Sequence, residues 1–165
     1  MSEETNSPIG QTVGDYKVVK LLGEGGMGEV YAAQHLQLGH RSAVKVLRRE
    51  IMNNKEAVER FRQEARLIAR VRHQNLIDIF DIGELSDGRL YYVMEYLSGQ
   101  SLSSLLEKKR LSFREVMQIM RQLCAGLSAA HKAGIVHRDL KPDNISPVEK
   151  TARSFHPPRE HGAEV

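Results

Sequence analysis

The order of strand-like and helix-like segments constrains the fold of this chain more than any other feature. Five segments combine the residue types of β-strands with glycine-bearing turns between them: residues 16–22, 29–35, 42–47, 77–82 and 90–94. One segment of helical periodicity, residues 55–71, lies between the third and the fourth. Because strands and helices do not alternate regularly, the order predicts an antiparallel sheet and not a doubly wound parallel one.

After residue 98 the pattern becomes helical. Residues 101–108 predict a short helix capped by Ser101, and residues 113–133 predict a long helix that ends before Gly134. The apolar stripe of the long helix comprises Val116, Ile119, Met120, Leu123, Leu127 and Ala130. The predicted fold class is therefore α+β, with a small lobe of five antiparallel strands and one helix followed by the first helices of a helical lobe.

Both ends of the chain differ from this periodic middle. Residues 1–14 are polar and predict a flexible lead-in. Residues 146–165 contain three prolines and no periodicity, which predicts a disordered tail. The chain is accordingly divided into a flexible segment (1–14), a small lobe (15–97), the start of a helical lobe (98–145) and an aberrant tail (146–165).

The amino-acid composition limits the partners and the compartment that we expect for this chain. The 165 residues hold 24 basic and 21 acidic side chains, a net charge of +3 that favours neither nucleic acid nor a membrane surface as partner. The short basic cluster Arg48-Arg49 is typical of a solvated face. The single cysteine, Cys124, excludes an internal disulfide and fits a reducing compartment. No apolar run approaches the roughly 18 residues of a membrane span, so we expect a cytoplasmic chain.

Residues 23–30 form the first segment that could carry chemistry, with the sequence GEGGMGEV. Glycines lack Cβ, so their backbone N–H groups can close around a phosphate. A dinucleotide-binding loop has a similar pattern, and Glu50 lies about 20 residues further on, as that pattern requires. In that loop, however, the last glycine opens a helix, whereas here Val30 begins a strand-like run. A glycine-rich hairpin without a ligand is the plain alternative.

Lys45 and Glu64 form the second candidate. Strand alternation puts Ala43 and Lys45 on one face of their strand and the flanking valines on the other. A lysine in an apolar strand needs an anion, unless it lies on an edge strand and faces water. Glu64 falls on the apolar stripe of the predicted helix, where a carboxylate needs a cation unless it pairs with water. The pattern therefore predicts a Lys45–Glu64 ion pair.

The third candidate is residues 137–144, HRDLKPDN, directly after the long helix. Asp139, Lys141 and Asn144 lie on a stretch that Pro142 keeps out of an α-helix. A carboxylate that positions a hydroxyl, an ammonium near the transferred phosphate and an amide oxygen for Mg²⁺ are what phosphoryl transfer uses. A charged surface turn has the same composition and is the alternative.

Together, these three segments resemble the eukaryotic-type protein kinases, of the serine/threonine kind found in bacteria. The resemblance covers about residues 16–145. It implies Mg²⁺ and ATP as cofactors and a protein with Ser or Thr hydroxyls as substrate. The residues that it implies around ATP are Leu22, Gly23, Glu24, Gly25, Gly26, Met27, Gly28, Glu29, Val30, Ala43, Lys45, Met94, Glu95 and Leu97.

Within that resemblance individual residues receive roles. Gly23, Gly25 and Gly28 cover the phosphates, and Val30 and Ala43 flank the adenine. Lys45 holds the α- and β-phosphates and pairs with Glu64. Met94 corresponds to the gatekeeper, and Glu95 and Leu97 to the hinge. Asp139 corresponds to the catalytic base, Arg138 to the residue that docks an activation-loop phosphate, Lys141 to the residue typical of the serine/threonine class, and Asn144 to the Mg²⁺ ligand.

The sequence departs from the kinase pattern after Ile145. Ser146 occupies the apolar position that forms the floor under the adenine, and neither Asp-Phe-Gly nor Ala-Pro-Glu follows. The family needs on the order of 100 further residues here, so we expect an incomplete chain with an exposed apolar patch on the long helix. A reading-frame shift near Ser146 is our hypothesis and a real short protein the alternative. Translating the other two frames distinguishes them.

Three functions remain open on the sequence alone. The first is an ATP-dependent serine/threonine protein kinase, present as an incomplete chain. The second is a catalytically inactive kinase fragment that binds nucleotide weakly or serves as an interaction module. The third is a dinucleotide-binding oxidoreductase, which rests on the glycine pattern and which the predicted hairpin and Lys45 oppose.

Overall fold

A computed structural model describes residues 7–137 and 139–147. The predicted tail and the first residues of the predicted lead-in therefore lie largely outside the described residues. The strands are β1 (Thr12–Val13), β2 (Tyr16–Glu24), β3 (Gly28–His35), β4 (Arg41–Leu47), β5 (Ile79–Glu84) and β6 (Leu90–Glu95). The helices are α1 (Lys55–Ile68), α2 (Leu102–Lys108) and α3 (Phe113–Lys132).

One antiparallel sheet contains all six strands, in the order β1-β2-β3-β4-β6-β5. The sequence predicted five strands, and β1 is the addition. Thr12 and Val13 pair with Lys17 and Tyr16 across a tight turn at Gly14, whose φ is 54°. The prediction of a flexible segment up to residue 14 is therefore wrong for these residues, since Val13 is almost completely buried. Burial of that one apolar side chain outweighs the polar composition around it.

Strand β4 lies in the centre of the sheet, between β3 and β6, and its side chains alternate between two cores. Val44 and Val46 point into the cluster on one face, and Leu47 belongs to the cluster on the other face, beneath α1. The predicted alternation is confirmed. Lys45 therefore lies on the same face as helix α1, inside the sheet and not at its edge.

Helix α1 packs on that face through the predicted stripe. Its Asn54 cap accepts a hydrogen bond from the backbone N–H of Ala57. Phe61 and Ala65 are buried in the core with Tyr92 and Leu90 of β6. The helix ends at Ile68, earlier than the sequence predicted, and a backbone N–H bond from Ala69 to the Ala65 carbonyl closes it.

The C-terminal helices follow their predicted bounds closely. Ser101 caps α2, and Ser112 caps α3 in a capping box with Glu115. Gly134 ends α3 with a φ of 75°, a conformation that suits glycine. Of the predicted apolar stripe of α3, Val116 and Met120 are 40% and 45% exposed, whereas Ala130 is buried. Phe113, which lies outside that stripe, is 81% exposed. Among the described helices, none combines the length and apolar character that crossing a membrane requires.

The Phe61 core gives a first prediction. Phe61 is completely buried, so Phe61→Ala removes a large apolar contact and should lower the free energy of unfolding by about 3–5 kcal/mol. Phe113→Ala is the matched control, because Phe113 is mostly exposed, and should change it by less than about 0.5 kcal/mol. Denaturant unfolding measures both; equal losses would contradict the assigned core.

Candidate active site

The glycine-rich segment forms the hairpin between β2 and β3, as the sequence predicted. Leu22, Gly23 and Glu24 end β2, and Gly28, Glu29 and Val30 begin β3. A backbone N–H of Gly25 donates to the Gly28 carbonyl at 2.8 Å and closes the turn that contains Gly26 and Met27. This context differs from the strand-to-helix turn of a dinucleotide-binding loop.

Gly28 is the glycine whose missing side chain the packing requires. A Cβ there would lie 2.6 Å from the carbonyl oxygen of Val46, which is backbone and cannot move aside. A Cβ at Gly23 or Gly26 would meet nothing within 4 Å. The hairpin is thus pressed against β4 at its second arm, whereas Gly23 and Gly26 are exposed and have free space at their Cβ positions.

The predicted ion pair forms beneath this hairpin. Lys45 Nζ lies 3.7 Å from Glu64 Oε1, and their side chains are 24% and 41% exposed. The pair is half-buried, so water screens part of its attraction. Lys45 Nζ also lies 5.5 Å from the centroid of the Tyr92 ring. Although burial opposes the charge, the Tyr92 hydroxyl and the Glu64 carboxylate outweigh it and hold the pKa of Lys45 above its usual value.

A strip of apolar and backbone groups lies beside the ion pair. Ala43 of β4 is paired with Ala32 of β3 on one side and with Met94 of β6 on the other, and Val30 is paired with Lys45. The Glu95 N–H donates to the Asp78 carbonyl at 2.9 Å. Leu97 follows β6 and is half-buried.

The second group of predicted residues lies on the loop after α3. Lys141 Nζ is 3.1 Å from Asp139 Oδ2, and Asn144 Nδ2 donates to the Asp139 carbonyl at 2.8 Å and to Oδ2 at 3.1 Å. The Lys141 bond first, and then the Asn144 bond, lower the pKa of Asp139. Asp139 is exposed and stays ionised at neutral pH, so it can accept a proton or a hydrogen bond from a hydroxyl.

Pro142 opens a turn of 3-10 helix, Pro142–Asn144, where the sequence predicted only a non-helical stretch. Proline suits this position because its missing N–H would have no partner there. The turn brings the Asn144 amide back to Asp139. Both Asn144 bonds use the amide nitrogen, so Oδ1 is the atom of this side chain that could bind a cation.

Helix α2 anchors the same loop through contacts that the sequence did not predict. The Leu102 N–H donates to the Ile145 carbonyl at 2.7 Å, and Ser103 Oγ donates to Asp143 Oδ1 at 3.0 Å. The two residues of the loop that accept these bonds, Asp143 and Ile145, are the neighbours of Asn144 in the chain. The sequence at the start of α2 did not predict these contacts, because sequence alone does not distinguish a serine that caps a helix from a serine that binds a loop.

Sequence reasoning also missed a contact between Glu24 and Arg48. Arg48 Nη2 lies 2.9 Å from Glu24 Oε2, and the Arg48 N–H donates to the Met27 carbonyl at 3.2 Å. Arg48 was interpreted as part of a solvated basic cluster, which is wrong because its side chain is only 33% exposed. The sequence feature that could have indicated this contact is an arginine directly after a predicted strand, in a chain whose glycine hairpin contains glutamates.

The structure thus brings the predicted residues together in two groups, around Lys45 and around Asp139. Within the described ranges no group of three or more His, Cys, Asp or Glu side chains could hold a metal ion. Arg138 lies outside the described residues, and Ser146, the predicted substitute in the adenine floor, is half-buried.

Comparison with known proteins agrees with this geometry. Residues 16–151 match the protein kinase domain, and the chain belongs to the protein kinase family. It is 41% identical over 144 residues to the serine/threonine-protein kinase pkn3 of Myxococcus xanthus, a match that covers 86% of this chain and 26% of that protein. It is 43% identical over 143 residues to the serine/threonine-protein kinase PknA of Mycobacterium tuberculosis, covering 83% and 33%.

Solved structures give the same family. The PknI kinase domain of M. tuberculosis superposes with a TM-score of 0.73 and 34% identity, over 83% of this chain and 55% of that one. The chain spans about a quarter to a third of the length of the curated relatives above. The predicted α+β small lobe followed by the first large-lobe helices is confirmed, with six strands in place of five.

Gly28 gives a prediction for the hairpin. Gly28→Ala would push a methyl group into the Val46 carbonyl, so we expect the free energy of unfolding to fall by roughly 1–3 kcal/mol. Gly26→Ala is the control, because nothing lies near its Cβ position, and it should stay within about 0.5 kcal/mol. Thermal unfolding measures both. If Gly26→Ala were the more damaging variant, the hairpin would be packed differently.

The ion pair gives a second prediction for this site. A buried pair would lose a few kcal/mol when one partner is removed, but this pair is half-exposed. We therefore expect a coupling free energy of about 0.5–1 kcal/mol between Lys45→Met and Glu64→Gln in a double-mutant cycle. Denaturant unfolding of the two single variants and the double variant gives the value. Strict additivity would show that the contact contributes nothing.

Proposed function

We propose that the site is that of an ATP-dependent protein kinase, which transfers the γ-phosphate of ATP to serine and threonine hydroxyls of a protein substrate. We further propose that this chain, in which no Asp-Phe-Gly follows Asn144, catalyses that transfer only slowly. The observation that carries the proposal is the Lys45–Glu64 pair directly beneath the glycine hairpin. A charged lysine in the middle of a sheet is costly without an anionic partner. Its place next to Val30, on the strand that leaves the exposed glycine hairpin, is suited to a phosphate chain.

The small lobe would hold the nucleotide. In this proposal Gly23, Gly25 and Gly28 cover the phosphates, and Lys45 binds the α- and β-phosphates while Glu64 orients it. Val30 and Ala43 flank the adenine, and the Glu95 carbonyl and the Leu97 N–H contact its edge beside Met94. The half-buried strip next to the ion pair supports this division between a polar and an apolar end.

The loop after α3 would position the acceptor. Asp139 orients the substrate hydroxyl and accepts its proton, and Lys141 lies 3.1 Å from that carboxylate, where it can contact the transferred phosphate. Asn144 would contribute Oδ1 to the Mg²⁺ ion that accompanies ATP. That ion supplies charge neutralisation of the phosphates. The bonds from Asn144 and Lys141 to Asp139 support a loop that is preorganised for this arrangement.

The choice of serine and threonine as acceptors rests on Lys141 and on the relatives. A lysine two residues after the catalytic aspartate resembles the serine/threonine class. The two curated relatives compared above are named serine/threonine-protein kinases. The proposed substrate is accordingly a protein, and the low cysteine content fits the cytoplasm as the compartment.

A second candidate function is a catalytically inactive kinase fragment that binds nucleotide. The observation in its favour is residues 145–165, in which no Asp-Phe-Gly follows Asn144. In this class catalysis depends on positioning and on charge neutralisation around metal-bound phosphates. The two candidates share the nucleotide site and differ in turnover.

Turnover gives the test between them. We expect this chain to transfer phosphate from ATP to a generic serine/threonine peptide far more slowly than an ordinary kinase, because half of the metal-binding set is missing. The rate is measured with radiolabelled ATP, and the Asp139→Asn variant gives the background. Turnover of about 1 s⁻¹ or more, abolished by Asp139→Asn, would instead establish an active kinase and reject the inactive module.

Nucleotide binding tests the part that both candidates share. The chain should bind ATP, and Lys45→Met should weaken that binding, whereas NADH should not bind because the hairpin does not open a helix. Calorimetry with each ligand is the measurement. NADH binding without ATP binding would favour a dinucleotide-binding oxidoreductase and overturn the kinase proposal.

A further inference from the structure

Tyr92 of β6 faces Lys45 directly across the sheet. The two residues are cross-strand partners in the β4–β6 ladder, so their side chains lie on the same face, the one that α1 covers. Tyr92 is 4% exposed, and its ring packs on Phe61 with 5.0 Å between the ring centroids. Lys45 Nζ lies 5.5 Å from the centroid of the Tyr92 ring. A buried tyrosine therefore lies beside the ammonium of the proposed nucleotide site.

The Glu64 carboxylate alone does not fix the position of this ammonium. The two charged atoms are 3.7 Å apart, longer than the roughly 3.2 Å limit of a well-formed hydrogen bond. Glu64 is also 41% exposed and lies on a helix, whereas Lys45 lies on a strand inside the sheet. Because an ammonium has three hydrogen-bond donors, one partly hydrated carboxylate at this distance leaves it with donors to share.

The Tyr92 hydroxyl interacts with both charged groups. Burial raises the pKa of Tyr92, the Lys45 charge lowers it and the Glu64 charge raises it, so the hydroxyl keeps its proton at neutral pH. A neutral hydroxyl can accept a hydrogen bond from an ammonium and donate one to a carboxylate at the same time. Although burial opposes the charge of Lys45, this hydroxyl helps to hold the pKa of Lys45 above its usual value. Tyr92 and Lys45 belong to the same sheet, so this contact does not depend on the packing of α1.

We propose that Tyr92 is a positioning residue for Lys45: its hydroxyl, together with Glu64, holds the ammonium where it binds the α- and β-phosphates of the nucleotide. The inference rests on the proposed function, because it needs phosphates next to Lys45. Tyr92 itself does not touch the nucleotide and acts through Lys45. The sheet thus supplies one anchor of the ammonium, and α1 supplies the other.

The phosphate dependence of binding separates this role from a merely structural one. Tyr92→Phe removes the hydroxyl and keeps the ring that packs on Phe61, so the core stays filled. ATP binding should weaken by about two- to tenfold, the size expected for the loss of one hydrogen bond. Adenosine binding should be unchanged, because adenosine has no phosphate for Lys45 to bind. Calorimetry measures both affinities, and equal weakening of ATP and adenosine would overturn the inference.

Tyr91→Phe is the matched control. Tyr91 is the neighbouring residue of β6, is 6% exposed, and belongs to the core on the opposite face of the sheet. Its substitution removes the same atom from a similarly buried position, away from Lys45. It should leave both affinities unchanged. Equal weakening of ATP by the two variants would contradict the positioning role, and so would unchanged ATP binding in Tyr92→Phe.

The pKa of Lys45 tests the contact without nucleotide. NMR of a labelled lysine side chain measures this pKa, which Tyr92→Phe should lower because the hydroxyl that stabilises the ammonium is lost. A variant that only exposed Lys45 would raise the same pKa, since burial opposes the charge. Tyr91→Phe should leave it unchanged. An unchanged or raised pKa in Tyr92→Phe would refute the contact and, with it, the positioning role.

The two measurements together distinguish failure of the inference from failure of the proposed function. A lower Lys45 pKa and weaker ATP binding in Tyr92→Phe support both. If the pKa falls but the unsubstituted chain binds neither ATP nor adenosine, the proposed function is refuted together with the role of Tyr92 at a nucleotide, while its contact with Lys45 stands. If the unsubstituted chain binds ATP and Tyr92→Phe changes neither quantity, the inference alone is refuted.

Discussion

The charge on Lys45 is the constraint on which the rest of the small lobe depends. The residue lies on β4, between β3 and β6, so neither strand edge gives it access to water. Its ammonium lies above the faces of Phe61 and Tyr92, within 5.9 and 5.5 Å of their ring centroids. These rings accept a cation favourably, and Glu64 is the carboxylate that pairs with it among the described residues. Helix α1 packs in the rotation that turns Glu64 towards this ammonium.

The position of Glu64 makes the stripe of α1 unusual, because a stripe that packs against a core is normally apolar. Its inward stripe contains Phe61 and Ala65, both buried, with a carboxylate between them along the chain. The apolar pair makes the packing favourable, whereas the carboxylate gains only a half-exposed partner at 3.7 Å. Such a pair contributes little to stability. Its presence in the stripe is better explained by what the Lys45 ammonium does in the proposed nucleotide site than by the stability of the fold.

The sequence alone predicted the elements whose periodicity is long and regular. The prediction was correct for both faces of β4, for the stripe of α1 and for the end of α3 at Gly134. The spacing of apolar residues in a strand or a helix directly reflects which side chains are buried. Strand β1 was missed because two residues carry no periodicity, and its pairing depends on the burial of Val13. The contacts of Arg48 with Glu24 and of Ser103 with Asp143 were missed for a related reason. Each joins polar residues far apart in the chain, and composition does not reveal which polar groups meet.

The two halves of the site differ in how they are supported, and this difference bears on function. The Lys45 half rests on a six-stranded sheet with a core on both faces, so its geometry is fixed by many contacts. The Asp139 half is exposed and is held by a few polar bonds among Lys141, Asn144 and the start of α2. Hydrogen bonds of this kind are individually weak in water. A site built in this way can keep a nucleotide-binding geometry even when the arrangement for phosphate transfer is lost, because the first depends on the sheet and the second on a short loop. In the proposed function, nucleotide binding and phosphate transfer therefore depend on different parts of the structure.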